Sequence, residues 1–168
     1  MVPSKSLFGP HQMMLDSLLT EYLGGPGELH EAVRGMTSAH LTARPIPGQW
    51  STLEVLCHLA DAESVFADRV KRILAEDNPP LPFADPKLFA PALAYTQRDA
   101  EVELDMIDVT RRQLVTILAA VPADDLLRTG LHSTEGLVTA RQVVEKAVRH
   151  LRHHATFILE KRKALGLS

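Results

Sequence analysis

The sequence predicts an all-α protein, a four-helix bundle, and three observations support this prediction. Four segments carry apolar residues at helical spacing, two capping boxes mark helix starts, and most prolines and glycines lie between the segments. No two segments show the alternation of apolar and polar residues that would indicate a confident pair of strands. Because amphipathic helices bury their apolar stripes against one another, we expect a single domain over residues 1–168, with its core at about 10–165.

The first helical segment runs from His11 to about Leu23 and places its apolar residues on one stripe. Gly24-Gly25-Pro26-Gly27 is expected to interrupt this helix, because glycine and proline are the strongest helix breakers. A short helical continuation reaches Met36, before Pro45-Ile46-Pro47-Gly48 forces a turn.

The second helix has the clearest start in the chain, a capping box formed by Ser51-Thr52-Leu53-Glu54, and it ends near Glu76. Its apolar stripe consists of Val55, Leu59, Ala62, Phe66, Val70 and Ile73. Residues 78–95 follow as a long loop that holds five prolines and the apolar anchors Leu81, Phe83, Leu88 and Phe89. We expect this loop to pack against the rest of the protein.

The third helix extends from about Thr96 to Ala120 and is stopped by Pro122. Its apolar positions are Val102, Met106, Val109, Leu114, Ile117 and Leu118. The stretch Thr129 to Val138 contains two glycines and is expected to be a loop or an extended segment. The fourth helix opens at a second capping box and runs to about Leu165, with Gly166 just beyond its end. That capping box is Thr139-Ala140-Arg141-Gln142, and the apolar stripe of this helix is Ala140, Val143, Ala147, Leu151, Phe157 and Ile158.

Composition and charge exclude several classes of function. The chain has 18 Lys and Arg against 21 Asp and Glu, a net charge of −3, which argues against a protein that binds nucleic acid through its phosphates. Its longest stretch without a charged residue, Gln113 to Ala123, is too short to span a membrane. The N-terminus lacks the apolar core of a signal peptide, and Cys57 alone cannot form an intramolecular disulfide. We therefore expect a cytoplasmic protein without a nucleic-acid or membrane partner.

Histidines are unusually frequent, and three of the eight lie on apolar helix faces. His58 falls on the apolar stripe of the second helix, while His150 and His154 lie four residues apart on the inward face of the fourth. Imidazoles at this spacing can reach one metal ion, and three of them with an open position are typical of a catalytic site. With eight histidines in the chain, a pair at this spacing arises by chance almost half of the time. Periodicity alone therefore leaves an alternative open, in which the three histidines lie in the core or at the surface and are hydrogen-bonded to side chains and waters.

Two segments of the chain resemble the signatures of the DinB/YfiT-like superfamily of metal-dependent helical bundles. The first is the run from Gly48 to Glu63, in which Trp50-Ser51 leads into a helix bearing His58-Leu59-Ala60-Asp61-Ala62-Glu63. The second is the run from His150 to Ile158, with two histidines four residues apart and an apolar residue four positions later. The lead-in Gly136-Leu137-Val138-Thr139 is also similar to that of the family, and the resemblance covers about residues 10 to 165.

The resemblance implies that His58, His150 and His154 are metal ligands, with zinc or nickel as the divalent ion. It also implies an enzyme, since relatives in this superfamily include S-transferases that use low-molecular-weight thiols and thiol-dependent isomerases. Hydrolysis is the competing chemistry. The chain departs from the usual pattern at Ala155-Thr156-Phe157, where many members carry a polar run, and this predicts a more apolar pocket wall.

Two further residues are candidates for a role beside the metal. Asp61 could orient the ring of His58, and Asp61 or His132 could act as a general base in hydrolysis. The sequence is equally compatible with a plain solvent-exposed or ion-pair role for Asp61. For His132, it favours a solvated position in a loop over a position at the mouth of the pocket.

Other residues near these positions have simpler interpretations. His153 is expected to be a surface or supporting group rather than a fourth ligand, and Glu54 and Glu63 are expected to be structural. Cys57 is interpreted as a buried small apolar residue, and Trp50 as a packing anchor at the start of the helix, against Leu53 or Val55.

The overall functional prediction is a metal-dependent transferase or hydrolase that acts on a small molecule. The alternative, from a different class, is a non-catalytic bundle related to stress that binds a metal or a small molecule. A homodimer is expected, because two-fold dimers are the commonest assembly.

Overall fold

The computed structural model describes residues 10–167, and side chains from residue 13 onward. The helices are α1 Pro10–Val33, α2 Ser38–Thr42, α3 Thr52–Ala75, α4 Pro86–Ala92, α5 Ala100–Ala120 and α6 Ala140–Ala164, with 3-10 turns at Tyr95–Gln97 and Ala123–Leu127. The strands are β1 Pro80–Leu81, β2 Thr129–His132 and β3 Gly136–Thr139. The predicted four-helix bundle is confirmed by α1, α3, α5 and α6. Residues 1–9, on which the absence of a signal peptide rests, lie outside the described part of the chain.

The four long helices run in two directions. Arg152 of α6 pairs with Glu21 of α1, and Arg162, further along α6, donates to the carbonyl of Ala32 near the end of α1, so these two helices are parallel. On the other side, Glu63 contacts Arg111 and Lys71 contacts Gln113, so α3 and α5 are also parallel. Because α3 and α5 run the same way, the chain between them must return along the whole bundle. This requirement explains the long connection from residue 76 to 99.

Local sequence signals set the start of each long helix after α1. Both predicted capping boxes form, with Ser51 and Glu54 at α3 and with Thr139 and Gln142 at α6. The start of α5 was predicted four residues too early. The helix begins at Ala100, because the Asp99 carboxylate accepts hydrogen bonds from the backbone N–H groups of Glu101 and Val102.

The predicted interruption of α1 by its glycine-rich run is wrong, and a contact with α5 explains why. Pro26 has no N–H group, so the carbonyl oxygen of Tyr22 lacks its helical donor. The Arg111 guanidinium supplies the missing hydrogen bond, with Nη1 at 2.7 Å from that oxygen. Gly25 leaves room for this approach, since a Cβ atom there would lie 2.4 Å from Nη1. A helix that looks broken in the sequence is thus completed by a side chain from another helix.

Arg111 and Glu63 form a buried polar layer that divides the core into two clusters. The Arg111 side chain is 0% exposed and donates to Glu63 at 2.8 Å and to the carbonyl of Ala147 at 3.1 Å, while the Tyr22 hydroxyl also donates to Glu63. One apolar cluster lies beyond this layer towards the ends of α3 and α5 at Ile73 and Leu118. The other lies towards their starts and includes Leu56, Leu59, Leu104, Ile107, Leu151 and Ile158.

The apolar pattern of α5 was assigned partly to the wrong face. Val102, Met106 and Val109 are 56%, 46% and 53% exposed. The buried face instead contains Leu104, Ile107, Arg111, Leu114 and Leu118. Because Arg111 lies in the middle of the buried stripe, apolar periodicity alone does not identify this face as the buried one.

The stretch Thr129 to Val138, predicted as a loop or an extended segment, forms two strands of a small sheet whose pairing the sequence did not reveal. Strand β2 pairs antiparallel with β3, matching Thr129 to Thr139, and parallel with β1, matching Leu81 to His132. The 78–95 segment, predicted as one long loop, therefore contributes β1 and also carries α4. Among the described residues, no helix is long and apolar enough to cross a membrane.

Substitution of Gly25 tests the contact that completes α1. We expect Gly25→Ala to lower the free energy of unfolding by about 2 kcal/mol, because the new Cβ atom displaces a buried, charged hydrogen bond. Gly24→Ala is the matched control. Nothing lies within 4 Å of a Cβ atom there, and alanine should raise the stability of a helix interior by about 0.5–1 kcal/mol. Urea unfolding of both variants measures the difference, and equal stability would contradict the assigned role of Gly25.

Candidate functional site

Three imidazole rings meet between α3 and α6, where the two helices run antiparallel. His58 Nε2 lies 3.0 Å from His150 Nε2, and one nitrogen from each of His58, His150 and His154 can be chosen so that all lie within 4.8 Å of one another. The ring centroids are 4.6 to 4.9 Å apart. The four-residue spacing on α6 places two of the rings, and the register of α3 brings the third to them.

Burial keeps these rings uncharged near neutral pH. Desolvation lowers the pKa of His150 to about 4 and that of His154 to about 3, and the neighbouring rings contribute to both shifts. The pKa of His58 is also lowered by burial, although the Asp61 carboxylate opposes this shift. In addition, His154 Nδ1 is buried and has no hydrogen-bond partner among the described residues. The cluster therefore offers three neutral imidazoles, and one of their ring nitrogens is buried without a partner among the described residues.

Aromatic side chains surround the cluster. Trp50 lies 5.4 Å from His58, Phe66 lies 5.5 Å from His150, and Phe157 lies 5.4 Å from His154, measured between ring centroids. Trp50 also contacts Tyr95, so it packs against the site as well as at the start of α3. Sequence reasoning assigned Trp50 only to the packing of Leu53 or Val55 and missed this contact.

The histidine cluster forms one wall of an elongated pocket of about 370 Å³. Apolar side chains make up most of its lining, namely Trp50, Ala62, Val65, Phe66, Phe83, Ala84, Pro86, Phe89 and Tyr95. Several of these belong to the connection between α3 and α5, which was expected to pack against the protein and here covers the pocket. A volume of this size suits a small organic ligand.

Asp61 lines the pocket but does not contact the ring of His58 through a hydrogen bond. Its carboxylate pairs with Arg98, at 3.0 and 3.1 Å from Nη1, and its side chain is 18% exposed. Arg98 is held in turn by Glu103 of α5. The ion-pair interpretation of Asp61 therefore describes its contacts, while its charge still acts on His58 at a distance.

The expectation of a solvated loop position for His132 is wrong, because His132 ends strand β2 and is 4% exposed. Its Nδ1 atom accepts hydrogen bonds from the backbone N–H groups of Thr134 and Glu135, both at 3.3 Å. Burial and the nearby Arg69 lower its pKa, so the ring is neutral and its proton resides on Nε2. That atom is buried without a partner among the described residues, and the ring lines the pocket.

The remaining sequence candidates lie outside the pocket lining. His153 is exposed and packs edge-to-face against Phe157, and Glu54 combines its capping role with an ion pair to Arg44. Glu63 belongs to the buried layer with Arg111. Cys57 is fully buried, and burial raises the pKa of its thiol to about 12, so it is not a nucleophile.

Two basic residues in the pocket were missed by sequence reasoning, Arg69 and Lys146. Arg69 lies among other charged residues near the end of α3, and nothing in its local sequence separates it from them. Lys146 precedes His150 by one helical turn, and this spacing is a signal that could have been noticed.

The fold and the site together define a class of protein, a four-helix bundle with a histidine cluster on the wall of an internal pocket. The family profile of the DinB superfamily matches residues 22–158, and the chain belongs to this superfamily. Two relatives, from two strains of Bacillus cereus, carry the name "Putative metal-dependent hydrolase". Each is 27% identical over 154 residues, covering 91% of this chain and 88% of the relative.

Solved structures show the same fold. YfiT from Bacillus subtilis, a four-helix bundle protein, matches with a TM-score of 0.86 at 23% identity, covering 100% of this chain and 95% of its own. The four-helix bundle protein TT2238 matches with a TM-score of 0.62 at 20% identity, covering 87% and 98%. The fold expected from the resemblance is therefore confirmed.

The metal-free protein should lose stability as the pH falls from about 6.5 towards 4. In this range His150 and His154 bind protons in the unfolded chain, where their pKa is the ordinary 6.5, but remain unprotonated in the folded protein, where their pKa is lowered. Acid therefore favours the unfolded chain. Urea unfolding in the presence of a chelator measures the slope of stability against pH, and His154→Gln should reduce that slope. Identical slopes for the variant and the unchanged protein would contradict the low pKa of His154.

Proposed function

We propose that the protein is a metal-dependent enzyme that binds one divalent ion through His58, His150 and His154. The observation that carries the proposal is the meeting of three neutral imidazoles at one point of a ligand-sized pocket. The names of the Bacillus relatives support a metal-dependent activity, and hydrolysis is the reaction those names favour.

The donor set fits such an ion in distance and in chemistry. Nitrogen ligands bound at 2.0–2.1 Å in a tetrahedral site stand about 3.3 Å apart; the His58–His150 pair is at 3.0 Å, and all three ligand atoms lie within 4.8 Å of one another, so a bound ion would draw the third closer. Three imidazoles suit zinc or nickel, and no carboxylate or thiolate lies among the clustered ligand atoms in the described residues. A bound ion would also give the buried lone pair of a ring nitrogen a partner, which the protein does not provide.

When bound, an ion with an open coordination position supplies a Lewis acid that lowers the pKa of a water or thiol ligand. The chain's own residues would then position the substrate. The aromatic and aliphatic walls exclude water from its apolar part, and the Asp61 carboxylate, held by Arg98, is the proton acceptor that faces the same pocket. We expect a small-molecule substrate, since the pocket is too small for a macromolecule.

Thiol transfer is a second candidate, and the ion pair between Asp61 and Arg98 favours it. A hydrolytic reaction benefits from a free general base, whereas the Asp61 carboxylate is engaged by a guanidinium. Transfer of a low-molecular-weight thiol to an electrophile needs no such base once the thiol is ionised. We also propose that the protein is cytoplasmic, that it forms a homodimer and that it has no nucleic-acid partner.

Elemental analysis tests the metal site directly. The unchanged protein should retain about one zinc or nickel ion per chain after dialysis, and alanine at His58, His150 or His154 should reduce this below about 0.2. His153→Ala is the matched control, since this neighbouring ring lies outside the cluster. Circular dichroism should show folded protein in every variant, because the buried core is built elsewhere. Full metal content in the three alanine variants would refute the proposal, and unfolding by a chelator would favour a structural metal over an enzyme.

Asp61→Asn separates hydrolysis from thiol transfer. If Asp61 acts as a general base, the variant should lower kcat for hydrolysis of an aryl ester by about 10²–10⁴ with little change in KM. Transfer of L-cysteine to an activated aryl chloride should change by only a few fold. Both assays use the metal-loaded protein, and Arg44→Gln, which removes an ion pair far from the pocket lining, serves as the control. Retention of ester hydrolysis by Asp61→Asn would remove Asp61 from the reaction.

A further inference from the structure

Arg69 carries a buried charge that the protein leaves without a full partner. Its side chain is nearly buried, one Nη atom donates to the carbonyl of Pro82 at 2.7 Å, and Nε has no acceptor among the described residues. Within the described part of the chain, no carboxylate lies within ion-pair distance of this guanidinium. Burial lowers the pKa of Arg69, and the carboxylates of Glu135 and Asp68 oppose this only in part. An uncompensated buried charge is costly and calls for an anionic partner.

A second unpartnered donor belongs to the same wall. The neutral ring of His132 carries its proton on Nε2, as fixed by the backbone N–H groups at Nδ1, and no described residue accepts from this N–H group. Both residues line the same pocket, and Arg69 donates to the carbonyl of Pro82, the residue after Leu81, which is paired with His132 in the sheet. Two donors near one another with no acceptor leave a position that a pair of oxygen atoms can fill.

Lys146 adds a second cationic group to this wall. It lies one turn before His150 on α6 and lines the pocket. Its ammonium group pairs with Glu135, which balances one of the two positive charges. The charge of Arg69 remains, so the wall attracts an anion.

We infer that Arg69, His132 and Lys146 form a subsite for a carboxylate group of the substrate, in the same pocket as the histidine cluster and across Phe66 from it. This inference rests on the proposed function, in that it takes the pocket as the substrate site. Phe66 lies between the two, at 5.5 Å from the ring of His150 and 5.9 Å from the Arg69 guanidinium. The substrate class is then a small molecule with an apolar or aromatic body, a carboxylate at one end and its reactive group at the other.

Access to the subsite requires a movement of Phe83. The two donor atoms are shielded from solvent, and the ring of Phe83 lies 6.5 Å from that of His132. Phe83 is 55% exposed, so rotation of its side chain exposes little additional apolar surface to water. A carboxylate with two acceptor oxygens matches the Nε–H group of Arg69 and the Nε2–H group of His132.

Binding of phenylacetate and of its neutral amide, phenylacetamide, tests the inference by calorimetry. The unchanged protein should bind the carboxylate at least about tenfold more tightly than the amide, and Arg69→Gln should remove this preference. Lys146→Gln should weaken carboxylate binding less, because Glu135 already compensates that charge. Arg72→Gln is the matched control, since Arg72 lies on the same helix but pairs with Asp68 and Glu76 at the surface.

Several outcomes would overturn the carboxylate subsite. These are equal binding of the acid and the amide, no saturable binding of phenylacetate, an unchanged affinity in Arg69→Gln, and tighter binding of phenyl phosphate than of phenylacetate. The same titrations on a triple His58→Ala, His150→Ala, His154→Ala variant separate this inference from the metal. Carboxylate binding that depends on Arg69 in that variant supports the subsite even if the metal proposal fails. Normal metal content with no effect of Arg69→Gln defeats the subsite and leaves the metal proposal standing.

Discussion

The buried ion pair between Arg111 and Glu63 determines how the four long helices fit together. The guanidinium reaches the carbonyl of Tyr22 on α1, the carboxylate of Glu63 on α3 and the carbonyl of Ala147 on α6. Removing one partner of a buried pair leaves an uncompensated charge, so each helix is held in one register. Glu63 lies five residues after His58 and Ala147 three before His150. The same register therefore brings the imidazole rings of α3 and α6 into contact.

The pocket borders the apolar clusters and shares Phe66 with one of them. Two apolar clusters, one on each side of the Arg111 layer, supply the buried surface that drives folding. The pocket lies between α3, α6 and the connection that returns from the end of α3 to the start of α5. Since α3 and α5 are parallel, this connection is unavoidable, and the protein uses it as a cover for the site.

Local signals in the sequence were sufficient for part of this structure. The capping boxes at Ser51 and Thr139 and the four-residue histidine spacing act within one helix, so the helices α3 and α6 and their inward-facing rings could be predicted. The continuity of α1 could not, because its missing hydrogen bond comes from Arg111, 89 positions away from Tyr22. The buried position of His132 likewise depends on strand pairing with residues 80–81. Arg69 could not be assigned to the pocket from the sequence, because it lines the pocket together with His132 only in the folded protein. Contacts between distant segments leave no periodic pattern to detect.

The unsatisfied nitrogen atoms are concentrated where a ligand can reach them. In the described residues, the buried side-chain nitrogens without a hydrogen-bond partner belong to Arg69, Arg111, His132 and His154, and three of these four residues line the same pocket. Buried polar groups in proteins are otherwise nearly always paired. The free-energy cost of leaving buried nitrogens unpaired therefore falls mainly on the residues that line the pocket. A molecule that satisfied the donors of Arg69 and His132 and an ion held by the rings would recover that free energy only when bound. In the proposed function, the histidine cluster and the Arg69 wall are two parts of one binding site, with Phe66 between them.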